Sequence, residues 1–290
     1  MTLVTRELDE IERANTSGRS PVMFVHGLWL LPNSWDRWAA LFEEAGYVAI
    51  RPGWPDDPDT VEEARKDPTV FAGKSVGEIA DHYSEAADAL ERKPVVIGHS
   101  FGGLLTQIVS GRGLAAAAVA ISPAPFRGVL PLPIAALKSS SAVLENPANR
   151  KRAVTLTPEQ FRYGFGNAVS EEESDQLYEE FHVAGSGTPI FQAAAANLNP
   201  WSEAKVKTKN PERGPLLIIA SKQDHTAPAA IAKASFKKQK RNPAVTEFYE
   251  FEDRGHSLIV DHGWKDVADV ALAFAARVAP PVEEAKRSAA

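Results

Sequence analysis

The stretch VVIGHSFGG, Val95–Gly103, places one serine between two glycines at the end of an apolar run. The run before Gly98 is typical of a buried strand, and the LLTQIVS that follows Gly103 is typical of a helix. A serine on a sharp turn from strand to helix has its hydroxyl lifted clear of the sheet. The start of the helix offers backbone N–H groups to developing negative charge. The pattern predicts that Ser100 is a nucleophile.

The same G-x-S-x-G spacing occurs in GKSVG, Gly73–Gly77, but in a different context. A charged, proline-containing segment precedes it instead of a strand. Ser75 and Glu78 stand three residues apart, directly before the apolar face of a helix, which is the pattern of a capping box. We therefore expect Ser75 to cap a helix and Ser100 alone to carry chemistry.

Short apolar runs alternate with helical segments along most of the chain. Six runs predict strands, and they begin at Pro21, Tyr47, Pro94, Ala117, Pro215 and Thr246. Between the first two lies SWDRWAALFEEAG, in which Ser34 is expected to cap a helix and Gly46 to end it. Continuously apolar strands are typical of a sheet covered on both faces. The expected fold class is α/β, a three-layer sandwich with a mainly parallel sheet and helices on both faces.

Residues 126–214 interrupt this alternation. No convincing strand is found there, and several short helices separated by Pro, Gly and Asn are expected instead. The prediction is a single domain over residues 1–290 with a small helical cap, 126–214, inserted within it. The Asp- and Pro-rich segment 51–68 is expected to form one wall of the pocket.

The composition limits the classes of function. A net charge of -6 gives no electrostatic reason to expect nucleic acid or an anionic membrane as a partner, so a small-molecule substrate is expected. The chain has no cysteine, which excludes disulfides and thiolate catalysis. The N-terminal segment lacks the apolar region of a signal peptide and no stretch is long enough to span a bilayer, so a cytoplasmic protein is expected. The oligomeric state is left open.

A nucleophilic hydroxyl needs a base, and His256 is the predicted one among seven histidines. It follows the last strand, where a loop can return an imidazole to Ser100. His225 and His262 are less easily dismissed as alternatives. Structural roles are expected for the others, which are His26, His82, His99 and His182.

The imidazole needs a carboxylate to hold its tautomer, and Asp224 is the predicted acid. It follows the penultimate strand, so its side chain can reach the same edge of the sheet. The rivals Asp253 and Asp261 lie within a few residues of His256, where the local chain makes a suitable approach harder.

The oxyanion of a tetrahedral intermediate needs donors that already point at it. The backbone N–H of Phe101, directly after the nucleophile, is the first predicted donor. The second is expected from the loop after the first strand, with the N–H of Leu28 preferred and that of Trp29 as the alternative. Gly27 would let this loop approach closely.

These motifs, HGLW at His26, GHSFGG at Gly98, SKQDHTAP around Asp224 and DRGHS around His256, resemble those of the α/β-hydrolase superfamily, in its cap-bearing serine esterase and lipase-like branch. The resemblance covers roughly residues 21–278. It implies an α/β-hydrolase fold with a Ser-His-Asp triad and no cofactor; no metal site is expected either. Relatives with an aspartate at the elbow, the haloalkane dehalogenases and epoxide hydrolases, are set aside because this chain has Ser100.

The expected function is hydrolysis of carboxylic esters of small to medium, largely apolar substrates through an acyl-enzyme intermediate. The alternatives with the same triad are a cofactor-free haloperoxidase or perhydrolase, a lactonase and a thioesterase. A ligand-binding protein with little turnover is the alternative from another class. Five apolar cap residues are expected to serve packing more than substrate contact: Phe126, Phe161, Phe165, Leu177 and Phe181.

Overall fold

A computed structural model describes residues 3–282 of the chain. Its main sheet has six strands in the order β2-β1-β3-β4-β7-β8, and every neighbouring pair is parallel. The six strands are β1 (Ser20–Val25), β2 (Tyr47–Ile50), β3 (Val95–His99), β4 (Ala117–Ile121), β7 (Leu216–Ser221) and β8 (Thr246–Phe251). All six coincide with the predicted strands.

Helices connect the strands and cover both faces of the sheet. The helices of the main body are α1 (Thr5–Ser17), α2 (Asp36–Glu44), α3 (Val61–Lys66), α4 (Val76–Asp88), α5 (Phe101–Gly111), α10 (Ala229–Gln239) and α11 (Trp264–Val278). Every residue of β3, β4 and β7 is buried, because helices exclude water from both sides of these strands. The predicted three-layer α/β sandwich is confirmed.

Helix α2 begins differently from the prediction. A short 3₁₀ helix, Pro32–Trp35, precedes it, and the Ser34 hydroxyl donates to the carbonyl of Leu31 at 2.7 Å. Ser34 is therefore not the side-chain cap of α2. The other end agrees with the prediction, since Gly46 follows the helix with φ +93°, a conformation that glycine adopts without a steric penalty.

The region between β4 and β7 contains four helices, α6 (Ile134–Leu144), α7 (Pro158–Gly164), α8 (Glu171–Phe181) and α9 (Thr188–Ala195). The expectation of no strand here is wrong in detail. Two-residue strands β5 (Ala153–Val154) and β6 (Gly185–Ser186) pair antiparallel. Strands of two residues have no readable alternation, so the sequence pattern could not reveal them. The division into one domain with an inserted cap at 126–214 stays a prediction.

Polar contacts that the sequence did not reveal hold helix α1 against α4 and against the segment after β2. The buried Glu7 carboxylate accepts hydrogen bonds from the backbone N–H groups of Val4 and Gly53, and it lies 3.0 Å from His82 Nε2. Burial alone would raise the pKa of Glu7, but His82 and the two N–H groups lower the pKa below its ordinary value. The pair ties the first helix to α4.

No helix among residues 3–282 combines the length and the apolar character that crossing a membrane requires.

Candidate active site

Ser100 lies between β3 and α5 in a backbone conformation that few non-glycine residues adopt, with φ 57° and ψ -120°. Its N–H donates to the Ile121 carbonyl at 3.0 Å, and its carbonyl accepts from Ala124 at 2.9 Å. These two bonds tie the turn to β4 and to the loop after it. Such strain persists only where the surrounding structure enforces it, and it is concentrated at functional sites.

The two glycines of the motif are required by contacts across this turn. A Cβ on Gly98 would lie 2.2 Å from the Gly102 carbonyl oxygen, and a Cβ on Gly102 would lie 2.0 Å from the Val25 carbonyl oxygen. Both distances are far below van der Waals contact. Glycine at 98 therefore avoids a collision across the turn, whereas Gly102 makes room for β1.

Gly98→Ala is expected to destabilise the fold by about 3 kcal/mol or more, because a methyl group would overlap backbone atoms that cannot move independently. Gly73→Ala is the matched control, since Gly73 is the first glycine of the other pentapeptide and nothing lies within 4 Å of its added Cβ. Its cost should be about 1 kcal/mol, from φ +77°. Denaturant unfolding of both variants measures the difference, and equal losses would contradict the steric explanation.

Ser75 caps α4, as predicted. Its hydroxyl accepts from the Glu78 N–H at 3.2 Å, and the Glu78 carboxylate accepts from the Ser75 N–H at 2.8 Å. This reciprocal pair is the capping box expected from the sequence.

The structure brings Asp224 and His256 into contact. Asp224 Oδ2 lies 2.6 Å from His256 Nδ1, and both side chains are fully buried. The other carboxylate oxygen accepts from the N–H groups of Thr226 and Ala227, each at 2.7 Å. The carboxylate is thereby oriented from two sides, and an Nδ1–H donated to it leaves a lone pair on Nε2.

The rival carboxylates have other roles. Asp261 forms an ion pair with Arg254 at 3.2 Å and accepts from the Ser257 hydroxyl at 3.1 Å. Asp253 is exposed to solvent. The carboxylate that pairs with His256 is that of Asp224, so the structure agrees with the reasoning that set these two aside.

The rival histidines are also occupied elsewhere. His225 Nδ1 lies 3.0 Å from the Tyr163 carbonyl oxygen, and His262 is an exposed residue paired with Glu173 at 2.9 Å. His256 is the one of the three that meets a buried carboxylate.

A backbone hydrogen bond joins the two loops that carry Asp224 and His256. The Gln223 N–H donates to the Arg254 carbonyl at 3.1 Å. The Arg254 side chain is held in turn by Asp261, whose carboxylate also accepts from the Gly263 N–H. Arg254 and Asp261 therefore position the histidine loop, a role that no sequence motif signalled.

The His256 ring packs against His99 at 4.5 Å and against Phe165 at 4.7 Å between ring centroids. His99 directly precedes Ser100, so the imidazole lies beside the elbow. No hydrogen bond joins His256 Nε2 to any group of residues 3–282. The structure unites the acid and the base, and it leaves the contact from the base to the Ser100 hydroxyl unmade, which is common in sites without substrate.

The loop predicted to complete the oxyanion site approaches the elbow closely. A Cβ on Gly27 would lie 3.0 Å from Ser100 Cβ and 3.7 Å from the Phe101 nitrogen. Phe101 is the first residue of α5, so its N–H has no partner within the helix. Leu28, the next residue of the loop, is buried. The two predicted donors thus belong to segments that meet at Ser100.

Trp29, the alternative donor, has a structural task. It adopts φ 66°, its indole N–H donates to the Val154 carbonyl at 3.0 Å, and its own carbonyl accepts from Val183 at 3.1 Å. These bonds connect the loop after β1 to the small β5–β6 pair. The geometry of this loop consequently depends on segments that lie between β4 and β7.

His26 supports the same loop from behind. Its Nε2 lies 2.9 Å from the buried Asp57 carboxylate, its Nδ1 lies 2.9 Å from the Gly27 carbonyl oxygen, and its ring stacks on Trp54. The expectation that segment 51–68 forms a wall of the pocket is therefore wrong. A large cavity opens beside Ser100, and no residue of this segment belongs to its described lining. Asp57 and Trp54 instead contact His26 and hold its ring in place.

That cavity measures about 410 Å³, and Ser100, Phe101 and Trp29 contribute to its lining. Most of the rest is aliphatic and comes from the loop after β4 and from α6 and α9. Phe126 lines the cavity. The other four cap residues, Phe161, Phe165, Leu177 and Phe181, are buried outside its described lining, as expected for packing residues.

Two buried histidines have pKa values far from the ordinary one. Burial, with a smaller effect of His256, holds the pKa of His99 well below 6.5, and burial lowers the pKa of His182 to about 3. His182 Nε2 lies 3.1 Å from the Leu156 nitrogen and can accept its N–H. Both rings therefore remain neutral in the folded protein in mildly acid solution.

This predicts a loss of stability below pH 6.5. A histidine with a lowered folded pKa takes up its proton first in the unfolded chain, so stability is complete above the unfolded pKa and falls as the pH drops below it. Each such histidine contributes a slope of about 1.4 kcal/mol per pH unit. Denaturant unfolding of His182→Asn between pH 6 and pH 5 should show a slope smaller by about that amount than the slope of the wild type. Above pH 7.5 the two curves should run parallel, and identical slopes at acid pH would contradict the assignment.

Residues 22–270 match the sequence model of the alpha/beta hydrolase family. No curated protein sequence matches this one.

Several solved structures have a similar fold. A mutant of polyneuridine aldehyde esterase is 17% identical, with 88% of this chain and 98% of that chain covered and a TM-score of 0.62. The monoacylglycerol lipase of Paleococcus ferrophilus is 19% identical, with 88% and 93% covered and a TM-score of 0.62. A methylesterase from Arabidopsis is 15% identical, with 88% and 99% covered and a TM-score of 0.59. At these identities the likeness is one of fold.

Proposed function

Because the chain belongs to the alpha/beta hydrolase family, we propose that it is a serine hydrolase. It cleaves carboxylic esters of small to medium, largely apolar molecules through an acyl-enzyme intermediate. The substrate is a small molecule, and neither nucleic acid nor a membrane is a partner. The observation that carries the proposal is the 2.6 Å contact between buried Asp224 and His256, beside a serine on a strained turn.

In the proposed reaction, the Ser100 hydroxyl attacks the ester carbonyl carbon while His256 Nε2 takes its proton. The imidazolium that forms is stabilised by the Asp224 carboxylate. It then protonates the departing alcohol as the tetrahedral intermediate collapses to an acyl-enzyme. Water repeats the same steps, with His256 again as the base, and releases the acid.

In this proposal, the backbone N–H groups of Leu28 and Phe101 donate hydrogen bonds to the oxyanion of each tetrahedral intermediate and stabilise its negative charge. Removal of one such donor from an oxyanion site costs about 2.7 to 4 kcal/mol of transition-state stabilisation. The close approach of Gly27 to Ser100 supports this assignment. The contact between His26 and Asp57 would hold the loop after β1 in place as the oxyanion charge develops.

The names of the similar structures agree with ester chemistry, since they include two esterases and a lipase. They do not select among esters, lactones and thioesters. Perhydrolysis uses the same three side chains with peroxide in place of water, so the experiment must measure peroxide-dependent turnover as well.

A fluorophosphonate probe tests for the activated serine whatever the substrate is. We expect one covalent label, on the peptide that contains Ser100, identified by mass spectrometry. The labelled protein should also hydrolyse p-nitrophenyl butyrate. This turnover should be faster than that of a thioester or a lactone, and faster than halogenation in an assay that contains halide, peroxide and acetate. An unlabelled protein with no turnover would overturn the hydrolase proposal, and labelling with faster turnover of another compound would reassign the substrate class.

A further inference from the structure

Apart from the Ser100 hydroxyl, the polar side chains that line the large cavity are already engaged. The Ser139 and Thr226 hydroxyls are 2.7 Å apart, and Thr226 also donates to the Gly164 carbonyl. The Ser140 hydroxyl donates to the Ala136 carbonyl within its own helix at 2.8 Å. These lining groups therefore do not need a ligand to satisfy them.

Asn197, another polar residue of the lining, is occupied at both ends of its amide. Its oxygen accepts from the Gly128 N–H at 2.6 Å, and its nitrogen donates to the Val129 carbonyl at 2.8 Å. No Asp, Glu, Lys, Arg or His belongs to the described lining. Beyond the reacting ester group, the cavity therefore offers a substrate mainly apolar contacts.

The apolar surface does not stop at the mouth of the cavity. Leu130, Leu132 and Leu137 belong to the lining and are also 75%, 65% and 42% exposed to solvent. Ile134, which begins α6 between them, is 85% exposed. We call these four residues the apolar rim. Because three of them face both the cavity and the solvent, the rim continues the surface that starts at Ser100.

Exposed leucine and isoleucine side chains in such a cluster indicate a binding surface. The continuity with the cavity identifies what binds there, because a single chain that starts at Ser100 and outgrows the cavity must leave across the rim. A compact apolar group would fill the cavity and leave the rim uncovered.

On the basis of the proposed function, we infer that the preferred substrate carries a long unbranched hydrocarbon chain, which fills the cavity and emerges over the apolar rim. The compound is an ester of a long-chain fatty acid or of a long-chain alcohol. Either source presents the same chain chemistry. This narrows the proposed class of small to medium apolar esters to its long-chain members.

The first measurement is kcat/KM for p-nitrophenyl acetate, butyrate, octanoate and dodecanoate, at concentrations where light scattering detects no aggregates. We expect a rise of about fourfold for each added methylene while the chain remains in contact with protein. A series that is flat, or that falls beyond butyrate, would overturn the inference. Methyl dodecanoate and dodecyl acetate, followed by acid release, then distinguish the acyl source from the alcohol source.

Two variants test the path of the chain. Ala193 of α9 lines the cavity, and Ala193→Phe should lower kcat/KM for dodecanoate about 100-fold more than it lowers kcat/KM for acetate. The matched control is Ala195→Phe, because Ala195 is exposed on the same helix outside the described lining. Its chain-length series should equal that of the wild type. Equal effects of the two variants, or an equal loss for acetate and dodecanoate, would show that the chain lies elsewhere.

The rim is tested by the double variant Leu132→Ser and Ile134→Ser. It should lower kcat/KM for dodecanoate about tenfold more than it lowers kcat/KM for acetate. Leu8→Ser is the control, since Leu8 is 49% exposed on α1, away from the cavity. If the double variant instead dissociates an oligomer in sedimentation velocity and leaves the series unchanged, the rim is a contact between copies and the inference is wrong.

A substrate with a charged end provides an independent test of apolar recognition in the cavity. A p-nitrophenyl octanoate analogue that ends in a carboxylate should react about 10³-fold more slowly than octanoate itself, because the apolar lining offers that charge no partner. Comparable rates would contradict apolar recognition. Fluorophosphonate labelling of Ser100 in each variant separates the long-chain inference from the proposed function. Labelled protein with a flat chain-length series would refute the long-chain inference only. Wild-type protein that takes no label would refute the proposed function.

Discussion

Replacing Ser100 with alanine is expected to lower kcat/KM for p-nitrophenyl butyrate by about 10⁵ to 10⁶, because no other group can form the acyl-enzyme. The fold should survive, since the hydroxyl makes no contribution to the hydrogen bonds that hold the turn. Those bonds come from the Ser100 backbone, to Ile121 and Ala124. Steady-state kinetics and denaturant unfolding of the same preparation separate the two effects.

Ser75→Ala is the matched control, because Ser75 occupies the same position in the other G-x-S-x-G pentapeptide. Loss of its cap should cost about 1 kcal/mol of stability and leave kcat/KM unchanged. Retention of most activity in Ser100→Ala would place the nucleophile elsewhere. Loss of activity in both variants would point to a shared effect on folding.

Asp224→Asn is expected to lower kcat by about 10⁴ with the geometry of the site intact. The Oδ1 atom of Asp224 accepts from the N–H groups of Thr226 and Ala227, so the amide oxygen of the variant must occupy that position. The amide NH₂ is then directed at His256 Nδ1. Nδ1 must accept a hydrogen bond, the ring proton moves to Nε2, and the imidazole can no longer accept the proton of Ser100.

Asp253→Asn is the control for this prediction. Asp253 is the exposed rival three residues before His256, and its substitution should change kcat less than twofold. Circular dichroism and fluorophosphonate labelling rates accompany the kinetics, and the labelling rate should fall with kcat in Asp224→Asn. Near wild-type turnover in that variant would transfer the role of the acid to another carboxylate.

Most of the main sheet could be predicted because all its strands except the edge strand β8 are almost entirely buried. Each of these five apolar runs is short, and each is separated from the next by a segment of different character, so local pattern and tertiary position agree. The start of α2 could not be predicted in the same way. Ser34 has the residue type of a cap, but a preceding 3₁₀ turn uses its hydroxyl for Leu31.

Other features escaped the sequence because their partners are distant in the chain. Asp57 contacts His26 across thirty-one positions of sequence, and Glu7 contacts His82 across seventy-five. Nothing in either local segment indicates such a pairing. Asp57 stands in a Pro- and Asp-rich stretch that is typical of turns, and this misdirected the prediction of a pocket wall.

The amino-acid sequence by itself determined that Ser100 occupies a strained turn, because the Gly98 position, which must avoid Gly102, and the strand and helix on either side are all local constraints. Only the tertiary structure decided which carboxylate meets His256. Asp224 comes from thirty-two residues away, whereas the nearby Asp261 is turned toward Arg254. Backbone sterics act over a few residues and can be read in order along a chain, but a contact between two loops depends on where the sheet delivers both of them.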